Sequence, residues 1–92
     1  LIRSFGDKDA QALYQGRRVP RFQAFIMQAE RRLQILDSAT SLLDLAALPS
    51  NRLEALKGDR QDQHSIRINQ QWRICFEWRD DGPYNVEIVD YH

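Results

Sequence analysis

Ninety-two residues suffice for one small domain, spanning 1–92, with a single core and little stability in reserve. Thirteen Lys and Arg balance thirteen Asp and Glu, which argues against a protein that grips nucleic acid by charge alone, because non-specific affinity needs uncompensated cations. No run is long and apolar enough to span a membrane, no charged-then-apolar segment suggests secretion, and a lone cysteine, Cys75, excludes an internal disulfide, so a cytoplasmic protein with no membrane partner is expected.

The charges are unevenly spread. Residues 1–50 hold seven basic and five acidic side chains, residues 51–79 six and four, and residues 80–92 none and four. A modestly basic body thus leads into an acidic stretch that also carries Tyr91 and His92.

Ile2–Phe5 is a short strand candidate, with Ile2 and Ser4 on one side and Arg3 and Phe5 on the other. Asp7 or Asp9 can cap a helix running to about Gln15, and Gly16 is a natural terminator. Gly16–Arg21 is a basic loop, and Pro20 suits the first turn of a helix, where a missing N–H costs nothing. Pro20–Asp37 predicts the longest helix: Phe22, Phe25, Ile26, Ala29, Leu33 and Leu36 recur on one face, with Gln23, Gln28, Arg31 and Arg32 facing away. Ser41 can start a second short helix to about Ala47, and Pro49-Ser50-Asn51 is a turn.

After Leu53 the period changes. The stretch to Leu56 fits a short strand or a last helical turn, and a polar loop follows. His64–Asn69 alternates, with Ile66 and Ile68 opposite Ser65, Arg67 and Asn69. Trp72–Arg79 alternates again, with Trp72, Ile74, Phe76 and Trp78 inward and Arg73, Cys75, Glu77 and Arg79 on the other face. Asp80-Asp81-Gly82-Pro83 is a hairpin turn, and Tyr84–Tyr91 is the final strand. Helices first and strands after predict an α+β domain, its long helix covering one face of an antiparallel meander.

Cys75 has Arg73 and Arg79 on its face but no evident base, so a small residue on a packed strand is the favoured reading over a nucleophile. Two His and one Cys lack ligand spacing, and Asp59, Asp62 and Asp90 are scattered, so no metal or other cofactor is expected. His64 opens a strand and reads as structural or exposed.

The remaining set is Lys57, Arg60, Arg67, Arg73, Tyr91 and His92. Arginine binds phosphate with a two-pronged fork, lysine as a point charge, and histidine moves protons near neutral pH. Together they would suffice for metal-free RNA cleavage: a base takes the 2′-OH proton, cations stabilise the crowded phosphate, and an acid protonates the leaving oxygen. Spacing alone favours a second reading over this one, in which Arg67 and Arg73 are solvated sheet-surface residues and the tail frays.

The segments NRLEALKGDR, QHSIRINQQWRICFEW and VEIVDYH, in that order, resemble the HigB branch of the RelE-like bacterial toxins, and the resemblance covers nearly the whole chain. It implies a compact α+β fold of microbial RNase type and the toxin half of a type II toxin–antitoxin pair. It further implies a ribosome-dependent endoribonuclease that cuts mRNA in the ribosomal A site without metal, by 2′-OH attack. Carried onto matching positions, Lys57 and Arg73 would steady the scissile phosphate. His92 would lead proton transfer, and Asp90 and Tyr91 would orient it or share the acid–base work. Arg60 and Arg67 would hold RNA backbone, and Arg17, Arg18 and Arg21 would meet ribosomal RNA. The implied partners are the 70S ribosome with mRNA and a HigA-like helix-turn-helix antitoxin, with operator DNA reached only through the antitoxin. A competing expectation is a non-enzymatic toxin of the same fold that disables a target such as gyrase by binding.

Overall fold

In the computed structural model, which describes residues 1–91, helices precede a sheet in the order the periodicities predict. Helix α1 spans Lys8–Tyr14 and buries Ala10 and Leu13. The Asp7 carboxylate accepts the backbone N–H of Asp9 at 3.0 Å, satisfying one of the donors a helix start leaves open. Beyond its end, Gly16 takes φ +82°, a conformation that disfavours side chains with a Cβ.

The long helix expected over Pro20–Asp37 is two pieces. Pro20–Phe25 is a 3₁₀ helix, and α2 runs Ile26–Ser38. The reason lies in the aromatic residues: at three residues per turn, Phe22 and Phe25 eclipse on one side. Both are buried, their rings 5.7 and 4.9 Å from Trp72. From Ile26 the wider period takes over and buries Ala29, Leu33 and Leu36. Ser41 caps α3 (Leu42–Ala46), and Pro49–Asn51 forms a single 3₁₀ turn.

The sheet has four strands in the order β1 (Glu54–Ala55), β2 (His64–Arg67), β3 (Trp72–Arg79) and β4 (Gly82–Asp90), each pair antiparallel. The ambiguous stretch after Leu53 is therefore a two-residue edge strand, one more than the expected meander. The last strand begins at Gly82, two residues before the expected Tyr84; Gly82 takes φ +132°, and a Cβ there would lie 2.8 Å from the Leu1 carbonyl. Ile2–Phe5 does not make a regular strand. Instead Phe5 forms one parallel bridge to Val86, with Val86 N–H donating to Ser4 O and Gly6 N–H to Val86 O, so the segment covers the β4 edge.

Ile66, Ile74 and Ile88 lie side by side across β2, β3 and β4 and share one core with Phe22, Ala29, Leu33 and Leu36. Ser65, Cys75 and Glu87 line up on the opposite face, with Glu54 beyond Ser65; Arg67, Arg73 and Val89 form the next row. No helix among the described residues is long and apolar enough to cross a membrane.

Candidate active site on the outer face of the sheet

Arg73 and Arg67 are direct cross-strand partners on the face turned away from the helices, as the two alternations predict. The reading of Arg73 as a solvated surface residue fails, because Arg73 is 8% exposed. Its Nε donates to Ser65 Oγ at 2.7 Å, and its Nη2 donates to the Arg52 carbonyl at 2.6 Å and to the Ser65 carbonyl at 3.4 Å. Two nitrogens of the fork are thus consumed internally. The third, Nη1, lies 3.8 Å from Glu54 Oε1.

The Arg52 carbonyl is itself a built acceptor. Arg52 adopts φ 44°, ψ 54°, an uncommon left-handed conformation for a residue with a side chain. The preceding Asn51 is fully buried; its Nδ2 donates to Leu45 O at 3.0 Å and its Oδ1 accepts from Arg32 Nη1 at 2.7 Å. Helices α2 and α3 are thereby tied to the loop that sets where the Arg73 guanidinium stops.

Tyr91 joins Arg73 on this face. The Arg73 guanidinium carbon is 5.9 Å from the Tyr91 ring centroid, within cation–π range, and Tyr91 remains 39% exposed. Arg60 approaches from the 3₁₀ turn Gly58–Arg60, its Nη1 donating to Gln63 Oε1 at 2.9 Å and to Glu87 Oε2 at 2.7 Å. The bond to Glu87 pushes the Arg60 guanidinium upward against a smaller opposing effect of burial, and Arg60 also feels Cys75 and Tyr91 electrostatically. Cys75 lies fully buried in this row, and burial pushes its thiol above the ordinary value of 9.0. That is an inert thiol, as favoured from sequence.

The other predicted residues fall less tightly. Arg67 is half-buried and donates from Nε to Asn69 O at 3.1 Å. Lys57 is exposed and directly precedes the Gly58–Arg60 turn. Asp90 is the register partner of Trp72, on the helix-facing row, and accepts from Gln71 Nε2 at 3.1 Å. Arg17 and Arg18 are exposed in the loop after α1. Arg21 is bound to Asp9 at 2.7 Å and Asp7 at 3.4 Å and covers the Phe22 ring at 4.6 Å, so its charge is already balanced. His92 lies outside the described residues. His64 stacks on Phe76 at 6.3 Å, on the helix-facing side. No group of three or more His, Cys, Asp or Glu among the described residues is gathered so that it could hold a metal ion.

Sequence reasoning passed over Ser65, Glu54 and the Arg52 carbonyl. The signal for Ser65 was present, since the alternation over His64–Asn69 sets a small hydroxyl on the arginine face. Glu54 sat in the stretch whose period was ambiguous.

Residues 3–92 match the protein family described as the RelE-like toxin of the type II toxin–antitoxin system HigB. The chain is 46% identical over 58 residues to Toxin HigB-1 of Vibrio cholerae, covering 63% of this chain and 61% of that protein. It is 38% identical over 61 residues to the endoribonuclease HigB of Proteus vulgaris, covering 66% of this chain and 65% of that protein. Each match spans less than two thirds of the relative's length.

Proposed function

The chain belongs to the HigB family of RelE-like toxins of type II toxin–antitoxin systems, and we propose that it is a ribosome-dependent endoribonuclease that cuts mRNA in the ribosomal A site. The observation that carries this reading is Arg73, a guanidinium pinned by Ser65 and Arg52, with Nη1 3.8 Å from exposed Glu54 and the Tyr91 ring beside it. A cation fixed before substrate arrives stabilises developing phosphate charge without reorganising, which is where catalytic electrostatics gains most. The Proteus relative, named an endoribonuclease, supports the same activity.

In this reading Arg73 and Lys57 steady the scissile phosphate while the 2′-oxygen attacks it, giving a cyclic phosphate and a free 5′-OH. Asp90, Tyr91 and His92 supply proton transfer. Arg60 and Arg67 hold the RNA backbone. The chain has no net charge and therefore little affinity of its own for free RNA. It depends on the ribosome to position mRNA, and exposed Arg17 and Arg18, with Arg21, meet ribosomal RNA. A HigA-like antitoxin neutralises it and carries it to operator DNA.

Mapping mRNA 5′ ends on purified, programmed ribosomes tests the proposal. New ends inside A-site codons are expected with added protein, and none on the same mRNA without ribosomes. An absence of new ends, together with gyrase-dependent DNA breaks in cells, would replace the nuclease with a toxin that acts by binding.

A further inference from the structure

We propose that Asn51 and Arg32, neither of them on the sheet, are positioning residues for Arg73: they fix the Arg52 carbonyl on which its guanidinium rests. The inference rests on the endoribonuclease reading above. Arg73 Nη2 donates to the Arg52 carbonyl at 2.6 Å, closer than either bond it makes to Ser65. A carbonyl can stop a guanidinium at one place only if its own backbone is held. Arg52 sits at φ 44°, ψ 54°, and such a conformation in a residue with a side chain persists only where its surroundings over-determine it.

Those surroundings are Asn51 and what grips it. Its Nδ2 donates to Leu45 O on α3 at 3.0 Å, and its Oδ1 accepts from Arg32 Nη1 on α2 at 2.7 Å. The same Arg32 nitrogen reaches Ser50 Oγ at 3.3 Å. The main chain is tied as well, with Asn51 N–H on Leu48 O at 3.0 Å and Arg52 N–H on Pro49 O at 3.1 Å. On the other side β1 begins two residues later and pairs with β2. The peptide that carries the Arg52 carbonyl is thus held between this clamp and the sheet.

The side-chain type fits the task. An amide donates and accepts at once, whereas Asp would offer Leu45 O no donor and Leu would only fill the space. Burying polar atoms is unfavourable unless they are matched, so an apolar residue would serve a turn that needed filling alone. Among the described residues the buried polar or charged ones are Asn51, Ser65 and Arg73. All three belong to one connected chain, from Arg32 through Asn51 and the Arg52 backbone to Arg73 and Ser65. The buried polarity of the fold converges on one guanidinium, and a small displacement of such a group is what a phosphate-stabilising site tolerates least.

The test measures single-turnover cleavage on programmed ribosomes at saturating protein, for Asn51→Ala and for Arg32→Met. Arg32 is half-buried and Met keeps its apolar stem, so the second variant removes the bond to Asn51 from a protein that still folds. A partly unfolded variant needs more protein to saturate but keeps the limiting rate, whereas a displaced Arg73 lowers that rate itself. Both variants should cleave about 10–100-fold more slowly at saturation. Leu13→Ala, a core change in α1, should keep the wild-type limit. Heteronuclear NMR of the Arg73 side chain reads the clamp without cleavage. Wild type should give separate Nη1 and Nη2 signals, because the bonds to Ser65 and Arg52 stop the fork from rotating, and both variants one averaged signal. A limiting rate within about threefold of wild type in either folded variant, or separate Nη signals kept there, overturns the proposal and leaves the nuclease standing. One averaged signal in wild type overturns the clamp whatever the cleavage. Separate signals in a wild-type protein that makes no cut overturn the nuclease reading, and with it the role of the clamp in cleavage.

Discussion

Arg73 donates from Nε to Ser65 Oγ at 2.7 Å, and both residues are buried on the sheet face turned away from the helices. A buried cation is tolerated only when its donors are matched, and here a hydroxyl and two carbonyls do the matching. Ser65→Ala removes one acceptor and leaves a charged donor unpaired. It should cost about 1–3 kcal/mol of folding stability, readable as a lower denaturant midpoint at unchanged slope. Cleavage should fall further than stability alone explains, since the guanidinium loses its stop. A Ser65→Ala protein with wild-type midpoint and rate would show that the bond does neither job.

Arg73→Lys keeps the charge and loses the fork. One ammonium cannot reach Ser65 Oγ and the Arg52 carbonyl while also offering a nitrogen to phosphate. The lysine variant should therefore retain little cleavage, at roughly the level of Arg73→Ala and within about tenfold of it. Substantial activity in the lysine variant would mean that charge, not geometry, is what the site requires.

Helix ends were legible in sequence because their causes are local: Asp7 and Ser41 cap, and Gly16 takes the left-handed turn. The core face was legible because alternation in two strands and a helical stripe agree on Ile66, Ile74, Phe22 and Leu33. Arg73 was legible as a candidate but not as a buried residue. Its burial depends on a register with Ser65 and on the backbone of Arg52, and local pattern encodes neither. The split of the long helix was hidden for a related reason: Phe22 and Phe25 fit a helical stripe and a 3₁₀ stripe equally, and Trp72, fifty residues downstream of Phe22, decides between them.

Arg60 and Glu87 form a half-buried ion pair at 2.7 Å, with side chains 35% and 28% exposed. Such a pair contributes on the order of 0.2–1 kcal/mol, so Glu87→Gln should change stability little. Its larger effect should be on charge: the substitution releases the Arg60 guanidinium toward the face that Arg73 and Tyr91 share. Ribosome binding should tighten at low salt and lose that gain as salt rises, because phosphate contacts are screened. An unchanged salt dependence would remove Arg60 from the proposed RNA-binding set.

Cys75 offers a check on how tightly this face is closed. The thiol is fully buried and burial pushes it above 9.0, so little thiolate exists near neutral pH and none is accessible. Alkylation of the native protein should be slower than that of the denatured chain by more than about 10³-fold, with the native rate tracking global opening. Rapid labelling of the folded protein would show that the strand row beneath Arg60 and Arg73 opens on its own.

Asp44 carries the clearest pH signature. Its Oδ2 accepts from Thr40 N at 2.8 Å and from Thr40 Oγ1 at 2.6 Å, while its own N–H donates to Ser41 Oγ at 3.2 Å. These bonds, the Thr40 hydroxyl first, hold the carboxyl below its ordinary value of 3.8 despite an opposing effect of burial. A carboxyl depressed in the folded state stabilises that state fully above its ordinary value, and the contribution fades as pH falls through the lower folded one. An NMR titration should therefore place the Asp44 midpoint below 3.8. Asp44→Asn should remove this part of the acid-side loss of stability and, with no charge at the start of a five-residue helix, fray α3 at neutral pH. The same slope of stability against pH in both proteins would mean that the reciprocal cap between Thr40, Ser41 and Asp44 does not form in solution.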